Sequence, residues 1–226
     1  MVTKVLEKIE QVYVKINSLF TEHGKILMFH HVSDEFVDTI DCCKCKVNRF
    51  KEIVEQVSKS YEFISIDNIY NRTGNKKYAV LTFDDGCMDA YQNAFPYLLE
   101  HNIPFTVYVV SDFVDKDGYL GVDELKHLSK NPLVTIGYHT KSHPQLIRVK
   151  HLREEMYSHK HELEEIIGKK INHFAFPYGK LYAVGIKSVF LGKQLGYKTV
   201  VSTFDTYLSR FSLLFKFFLP RTVIIL

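Results

Sequence analysis

The chain has 226 residues, enough to bury a large core and within the size range of one α/β domain of barrel type. Hydrophobic residues make up 46% and charged residues 24%, which excludes long disordered or low-complexity stretches. The net charge of +3, from 29 basic against 26 acidic residues, is too small to point to nucleic acid or an anionic membrane as partner.

Val2, Val5, Leu6, Ile9, Val12, Tyr13, Ile16 and Phe20 fall on one helical stripe with Lys, Glu and Gln between them. This predicts an amphipathic helix within residues 1–24 that packs on the domain or on a second copy of the chain, a possible homo-oligomer contact. Its polar face mixes both charge signs, which argues against a membrane surface. Met1 to Phe20 lacks the apolar core of a secretory signal. The longest apolar stretch, Phe211 to Leu219, is broken by Lys216 and falls short of the roughly 18 residues of a membrane span. A cytoplasmic location is the expectation. Cys42, Cys43 and Cys45 lie too close together to pair in regular disulfides. With Cys87 they could ligate zinc, but the separated C-x-x-C pairs of structural zinc sites are missing, which favours surface thiols in a loop.

After Gly24 short apolar runs alternate with helical patterns, the signature of β/α units around a parallel sheet. Strands are predicted at Ile26–Phe29, Glu62–Ser65, Ala79–Phe83, Phe105–Val110, Leu133–Gly137, Asn172–Phe176, Lys198–Ser202 and Val223–Ile225. Phe50, Ile53, Val54 and Val57 mark one helix, and Leu152, Met156, Leu163, Ile166 and Ile167 another that ends at Gly168. Pro96 interrupts a third, from Asp89 to His101. Residues 25–226 therefore read as one α/β domain, a barrel or barrel-like fold of seven or eight strands.

Polar residues collect where these strands end. Ile26–Phe29 runs into His30 and His31, Ala79–Phe83 into Asp84 and Asp85, Leu133–Gly137 is followed by His139, and Asn172–Phe176 runs into Pro177, Tyr178 and Gly179. In a parallel barrel all C-terminal strand ends share one face, so residues distant in sequence converge there. Asp84 and Asp85 repel one another unless a cation or shared proton relieves them. One of them could instead cap the following helix, with Gly86 freeing the turn. Consecutive residues leaving a strand point in different directions, so one carboxylate can bind a metal while the other faces a water. His139 and His143, four apart, would share one side of a helical turn, although Lys141 and Pro144 suit a loop better and the spacing alone is common. With Asp85 they offer two nitrogens and one oxygen and leave a fourth position open.

Thr82-Phe83-Asp84-Asp85-Gly86, His139-Thr140-Lys141-Ser142-His143-Pro144 and Phe174-Ala175-Phe176-Pro177-Tyr178-Gly179 resemble, in order and spacing, the motifs of the polysaccharide deacetylase (NodB-homology) family. Leu27-Met28-Phe29-His30-His31-Val32 resembles the opening of the branch with an N-terminal Tyr/Phe-His motif, and Asp89, Ala94-Phe95-Pro96 and Ile103-Pro104-Phe105-Thr106-Val107 are similar to the family's sequence after its first motif. The resemblance, which begins near Lys25, implies a distorted parallel (β/α) barrel and a hydrolase that removes acetyl groups from N-acetylated sugars of a polysaccharide or its precursor. It also implies a divalent metal, commonly zinc with cobalt or nickel able to substitute. Asp84 would be the catalytic base, Asp85, His139 and His143 the metal ligands, and the Tyr178 N–H a donor to the developing oxyanion. Pro177 and Gly179 would border the substrate, and Tyr138 and Tyr178, beside the motif residues, are candidate sugar contacts, with ordinary core packing the open alternative for Tyr138.

Two departures stand out. Many members carry an Arg, contacting the base carboxylate, where this chain has Ala175, and many carry a late His as general acid where this chain has none after His173. In the Tyr/Phe-His branch the acid resembles one supplied from the first strand, here His30, with His31 the competitor. An O-acetyl ester or a non-sugar amide could be cleaved at the same site. The departures also leave open a catalytically silent sugar-binding module, against which stands the intact set of Asp84, Asp85, His139 and His143.

Overall fold

The computed structural model of the chain describes residues 2–35, 44–71 and 76–224. Its strands are β1 (Gly24–Phe29), β2 (His31–Val32), β3 (Lys44–Cys45), β4 (Glu62–Phe63), β5 (Tyr78–Phe83), β6 (Phe105–Val109), β7 (Val134–Tyr138), β8 (His173–Ala175), β9 (Thr199–Val201) and β10 (Thr222–Val223). The helices are α1 (Val2–Asn17), α2 (Val47–Ser58), α3 (Met88–Asn93), α4 (Phe95–Glu100), α5 (Val122–Lys130), α6 (Lys160–Ile167), α7 (Leu181–Val184), α8 (Ile186–Gln194) and α9 (Arg210–Leu213). The expected end of the last strand at Ile225 lies outside the described residues, as do Cys42 and Cys43.

The main sheet has the order β10-β1-β5-β6-β7-β8-β9, with β4 beside β5, and its named pairings are all parallel. Strands such as Tyr-Ala-Val-Leu-Thr-Phe in β5 are buried along their whole length, as expected of parallel strands covered on both faces. Alternate residues divide between two cores. Leu27, Phe29, Leu81 and Phe83 pack in the large cluster that includes helical residues such as Phe50, Phe95 and Leu98, while Ile26, Tyr78, Val80, Tyr108, Ala175 and Val201 form the smaller one.

One C-terminal segment bonds to both ends of the sheet. Val200 N donates to Lys216 O at 2.9 Å and Ser202 N to Leu219 O at 2.8 Å, so this segment runs along β9. It then passes through Pro220 and Arg221 into β10, where Thr222 pairs with Leu27 of β1. The sheet thus curls into a distorted barrel, as the resemblance implied.

Several expectations hold in detail. The third helical pattern breaks into α3 and α4, with Pro96 at the start of the second, where its missing N–H costs nothing. Gly168 ends α6 in the left-handed region at φ 66°. Two do not hold. Cys45 is no surface thiol; it is buried at 1% exposure on β3, because β3 pairs with β2 and turns the side chain into the core.

Helix α1 packs on the domain, but by only part of its apolar stripe. Leu6 and half-buried Tyr13 face the body, Val5, Val12 and Ile9 stay exposed, and polar Glu10 and Asn17 are buried instead. Hydrogen bonding explains the choice of face. Asn17 Nδ2 donates to Tyr207 O at 2.9 Å and to Thr206 Oγ1 at 3.0 Å, and the Leu181 N–H donates to the Glu10 carboxylate.

Burial pushes the Glu10 carboxyl up from its ordinary value, against the pull of the Leu181 N–H and Lys180. A raised folded-state value means its contribution is complete below the unfolded-state pKa of about 4.3 and is lost as pH rises through the folded value. Glu10→Gln keeps a neutral acceptor for Leu181. Its melting temperature should therefore exceed that of the wild type at pH 7, with the gap closing below about pH 4; a lower melting temperature at pH 7 would show that the charged form is preferred.

Candidate active site

The site stands at the C-terminal ends of β5, β7 and β8, beside the end of β1. Asp84 continues β5, its N–H bonded to Phe29 O at 2.9 Å. Asp85 and Gly86 then both take left-handed backbone, at φ 68° and 73°. Asp tolerates that region better than most side chains, and the two turns aim neighbouring carboxylates in different directions.

The histidines are brought together by a tight loop rather than the helical turn that their spacing suggested. Thr140 and His143 are left-handed, at φ 70° and 57°, and Thr140 Oγ1 accepts from His143 N at 3.0 Å. The two imidazole centroids come to 4.9 Å. Contacts outside the loop brace it: Lys141 Nζ bonds both Asp112 oxygens at 2.7 and 2.8 Å, and Ser142 N donates to Glu155 at 3.0 Å.

These residues fit a divalent ion. Asp85 Oδ1 lies 3.5 Å from His139 Nε2 and 3.4 Å from His143 Nε2. A tetrahedral ion with bonds of about 2.0–2.1 Å holds its ligand atoms about 3.3 Å apart. Asp85 Oδ1 is buried and has no hydrogen-bond partner, an oxygen that lacks only a cation. Burial raises the Asp85 carboxyl above its ordinary value, which an ion would reverse. His139 Nδ1 sits 2.8 Å from Ala175 O, a contact that assigns the proton to Nδ1 and leaves the Nε2 lone pair for a metal. Burial drops His139 to about 3 and lowers His143, so both imidazoles are neutral at pH 7, as ligation requires.

Asp84 is 2% exposed, and its countercharge comes from a residue that the motifs did not flag. Arg221, fully buried in the segment between β9 and β10, holds Asp84 in a fork: Nη1 to Oδ1 at 2.6 Å and Nη2 to Oδ2 at 2.7 Å. Its Nε donates to Ser202 O at 2.8 Å, and its guanidinium lies 5.6 Å from the Tyr108 ring centroid. Tyr108 fits there because Gly137 has no side chain; a Cβ at that position would come within 2.4 Å of the ring. The contact that many family members make from the position of Ala175 is thus made here from Arg221. Burial would push the Asp84 carboxyl up, but the charge of Arg221 and its hydrogen bonds outweigh it and hold it well below the usual carboxylate range. Asp84 is therefore ionised at neutral pH. One signal in the sequence was readable: a lone Arg inside the apolar run Phe217-Phe218-Leu219-Pro220-Arg221-Thr222-Val223 needs a buried anion.

The two N-terminal histidines differ in their surroundings. Burial lowers His30, while the charges of Asp84 and then Asp85 pull it up, so it shares the cleft with both carboxylates. His31 is engaged elsewhere, with Nδ1 2.8 Å from Asp89 Oδ2 and Nε2 3.6 Å from Cys87 Sγ. Tyr178, half exposed at φ 61°, sets its ring 5.0 Å from that of His143. Gly179 follows at φ 62° so close to the next turn that a Cβ would meet Thr203 N at 2.6 Å, and Pro177 is buried beneath them. Tyr138 is a correction. It is fully buried against Phe174 as the last residue of β7, so its ring is a core group and not a sugar contact.

The family described as polysaccharide deacetylase matches residues 71–200, more than half of the chain, and the chain belongs to that family. YxkH of Bacillus subtilis (strain 168), whose name also places it with the polysaccharide deacetylases, is 23% identical over 131 residues, 57% of this chain and 46% of YxkH. Two solved structures share the fold. Polysaccharide deacetylase BC0361 from Bacillus cereus matches at a TM-score of 0.77 and 23% identity, over 91% of this chain and 65% of that one. The Streptococcus pyogenes deacetylase PplD, solved in complex with acetate, matches at 0.79 and 21%, over 91% of this chain and 93% of that one. The chain thus spans less than two thirds of YxkH and of BC0361.

Removing the Arg221 charge should strand a buried carboxylate. Arg221→Met is expected to lower the unfolding free energy by about 3–5 kcal/mol in urea denaturation at pH 7, and Arg221→Lys by less. Because the folded pKa of Asp84 is depressed, the stability it contributes is present above its unfolded value of about 3.9 and lost in acid. The deficit of Arg221→Met should therefore narrow below about pH 4; a variant as stable as the wild type at pH 7 would contradict the pairing.

Proposed function

We propose that the chain is a metal-dependent deacetylase of N-acetylated sugars, acting on a polysaccharide or its precursor. The observation that carries this reading is the orphaned Asp85 Oδ1 set at ligand distance from two neutral imidazoles, with an ionised Asp84 beside them. Family membership and the fold shared with a deacetylase solved with acetate support it.

A zinc-type ion held by Asp85, His139 and His143 would acidify a water and polarise the acetyl carbonyl. Asp84 then takes the proton of the attacking water. Arg221 holds one lone pair of each Asp84 oxygen, which fixes the carboxylate plane and leaves the remaining lone pairs for that proton. The oxyanion that develops on the carbonyl oxygen receives the Tyr178 N–H, a donor worth a few kcal/mol in sites of this kind. Tyr178, exposed at the rim, also offers its ring to the sugar. His30 delivers the proton that the departing amine needs. That step separates substrates, because an amine leaves poorly unprotonated whereas an activated ester's alkoxide does not need the proton.

Acetate release from N-acetylglucosamine oligomers tests the assignment. Asp84→Asn should lose roughly a hundredfold or more in rate while still binding zinc, and His139→Ala should lose both. An Asp84→Asn protein with the wild-type rate would remove the base. His30→Ala should slow amide cleavage by roughly 10²-fold or more and the cleavage of an activated acetyl ester far less; equal loss on both substrates would exclude the role of acid.

A further inference from the structure

A second set of metal-type donors lies just past the first carboxylate motif. His31, Cys87 and Asp89 each offer a ligand atom, and these atoms all lie within 4.8 Å of one another. Nothing in the deacetylase reading uses them. They sit on braced backbone: Asn93 Nδ2, at the end of α3, donates to Val32 O of β2 at 2.9 Å, and Met88 N donates to Gly118 O at 2.9 Å. Cys87 makes a β-bridge to Tyr119.

Three features make this more than a chance grouping. First, His31 Nε2 is 3.6 Å from Cys87 Sγ. Bonds of about 2.0–2.1 Å to nitrogen and about 2.3 Å to sulfur at a tetrahedral angle put those atoms about 3.5 Å apart. Second, Asp89 Oδ2 lies 2.8 Å from His31 Nδ1, so the carboxylate already stands against the imidazole with which it would share an ion. Third, Asp89 Oδ1 is buried without a hydrogen-bond partner, the same signature that Asp85 Oδ1 carries in the first centre. Access fits as well. The side chains of His31 and Asp89 are 37% and 27% exposed while Cys87 is buried at 2%, so an ion can enter from solvent and the sulfur is shielded once it is bound.

We propose that His31, Cys87 and Asp89 form a second site for a borderline-soft divalent ion of the zinc class, separate from the centre of Asp85, His139 and His143. Thiolate, imidazole and carboxylate are the donor mix that zinc and cobalt accept, and water completes the fourth position. Closing the three donors onto one ion exchanges the Asp89–His31 hydrogen bond for ligation and moves the partly exposed side chains of His31 and Asp89 toward buried Cys87. The bound ion would tie β2 to the start of α3, between the strand end that carries His30 and the turn that carries Asp85.

The two sites differ in sulfur, and that difference gives the test. Metal-stripped full-length protein is titrated with Co(II) while its absorption is followed. The expected result is two cobalt ions per chain and a near-ultraviolet thiolate-to-cobalt charge-transfer band, which the sulfur-free first centre cannot produce. Cys87→Ser should lose the band and one of the two ions, with His31→Gln as the second variant should the first not fold. His139→Ala should keep the band while losing the other ion, so failure of the first centre and failure of this proposal give different results. One cobalt per chain without the band, or a band that survives Cys87→Ser, would overturn it.

Discussion

A carboxylate buried at the end of a central strand stays charged only if a cation is buried with it. Arg221 does this for Asp84, and the arrangement of the site follows from that one pair. The guanidinium needs donors satisfied on every side, so it takes Ser202 O and Thr82 Oγ1 as well as both carboxylate oxygens. It also needs a flat neighbour, which Tyr108 supplies because Gly137 makes room. Four strands therefore have their geometry set by one fork. With Asp84 pinned, the left-handed turn at Asp85 and Gly86 can aim the second carboxylate at the two imidazoles without the first following it.

Much of this was legible in the sequence. Apolar runs alternating with helical patterns pointed to a barrel-type fold, polar residues at the strand ends to a shared face, and Asp85, His139 and His143 together to a donor set. What resisted reading had physical causes. Arg221 meets Asp84 across 137 positions, and nothing local in either segment encodes the partner. His139 and His143 converge through a loop with two left-handed non-glycine residues, a conformation stabilised by braces from Asp112 and Glu155 rather than by its own composition. Tyr138 admits two readings from the sequence, sugar contact and core packing, and its place on the strand decides for the core. Strand β7 runs one residue further than its apolar pattern suggested, and in a pleated strand that step decides whether a side chain faces the core or the cleft.

Helix α1 gives the complementary lesson. Its apolar stripe correctly marked a helix but not the face that docks, because two polar side chains, Glu10 and Asn17, satisfy backbone groups near Leu181 and Tyr207. Hydrogen-bond demand at a loop outweighed the burial of Val5, Ile9 and Val12. Periodicity reports what could be buried; the receiving surface decides what is.

The strap that joins β9 to β1 carries a temporal meaning. Arg221 follows every other residue of the centre along the chain, so in vectorial synthesis Asp84 is without its counter-ion until this strap seats. Closure of the sheet and charge neutralisation of its most buried carboxylate thus become a single event.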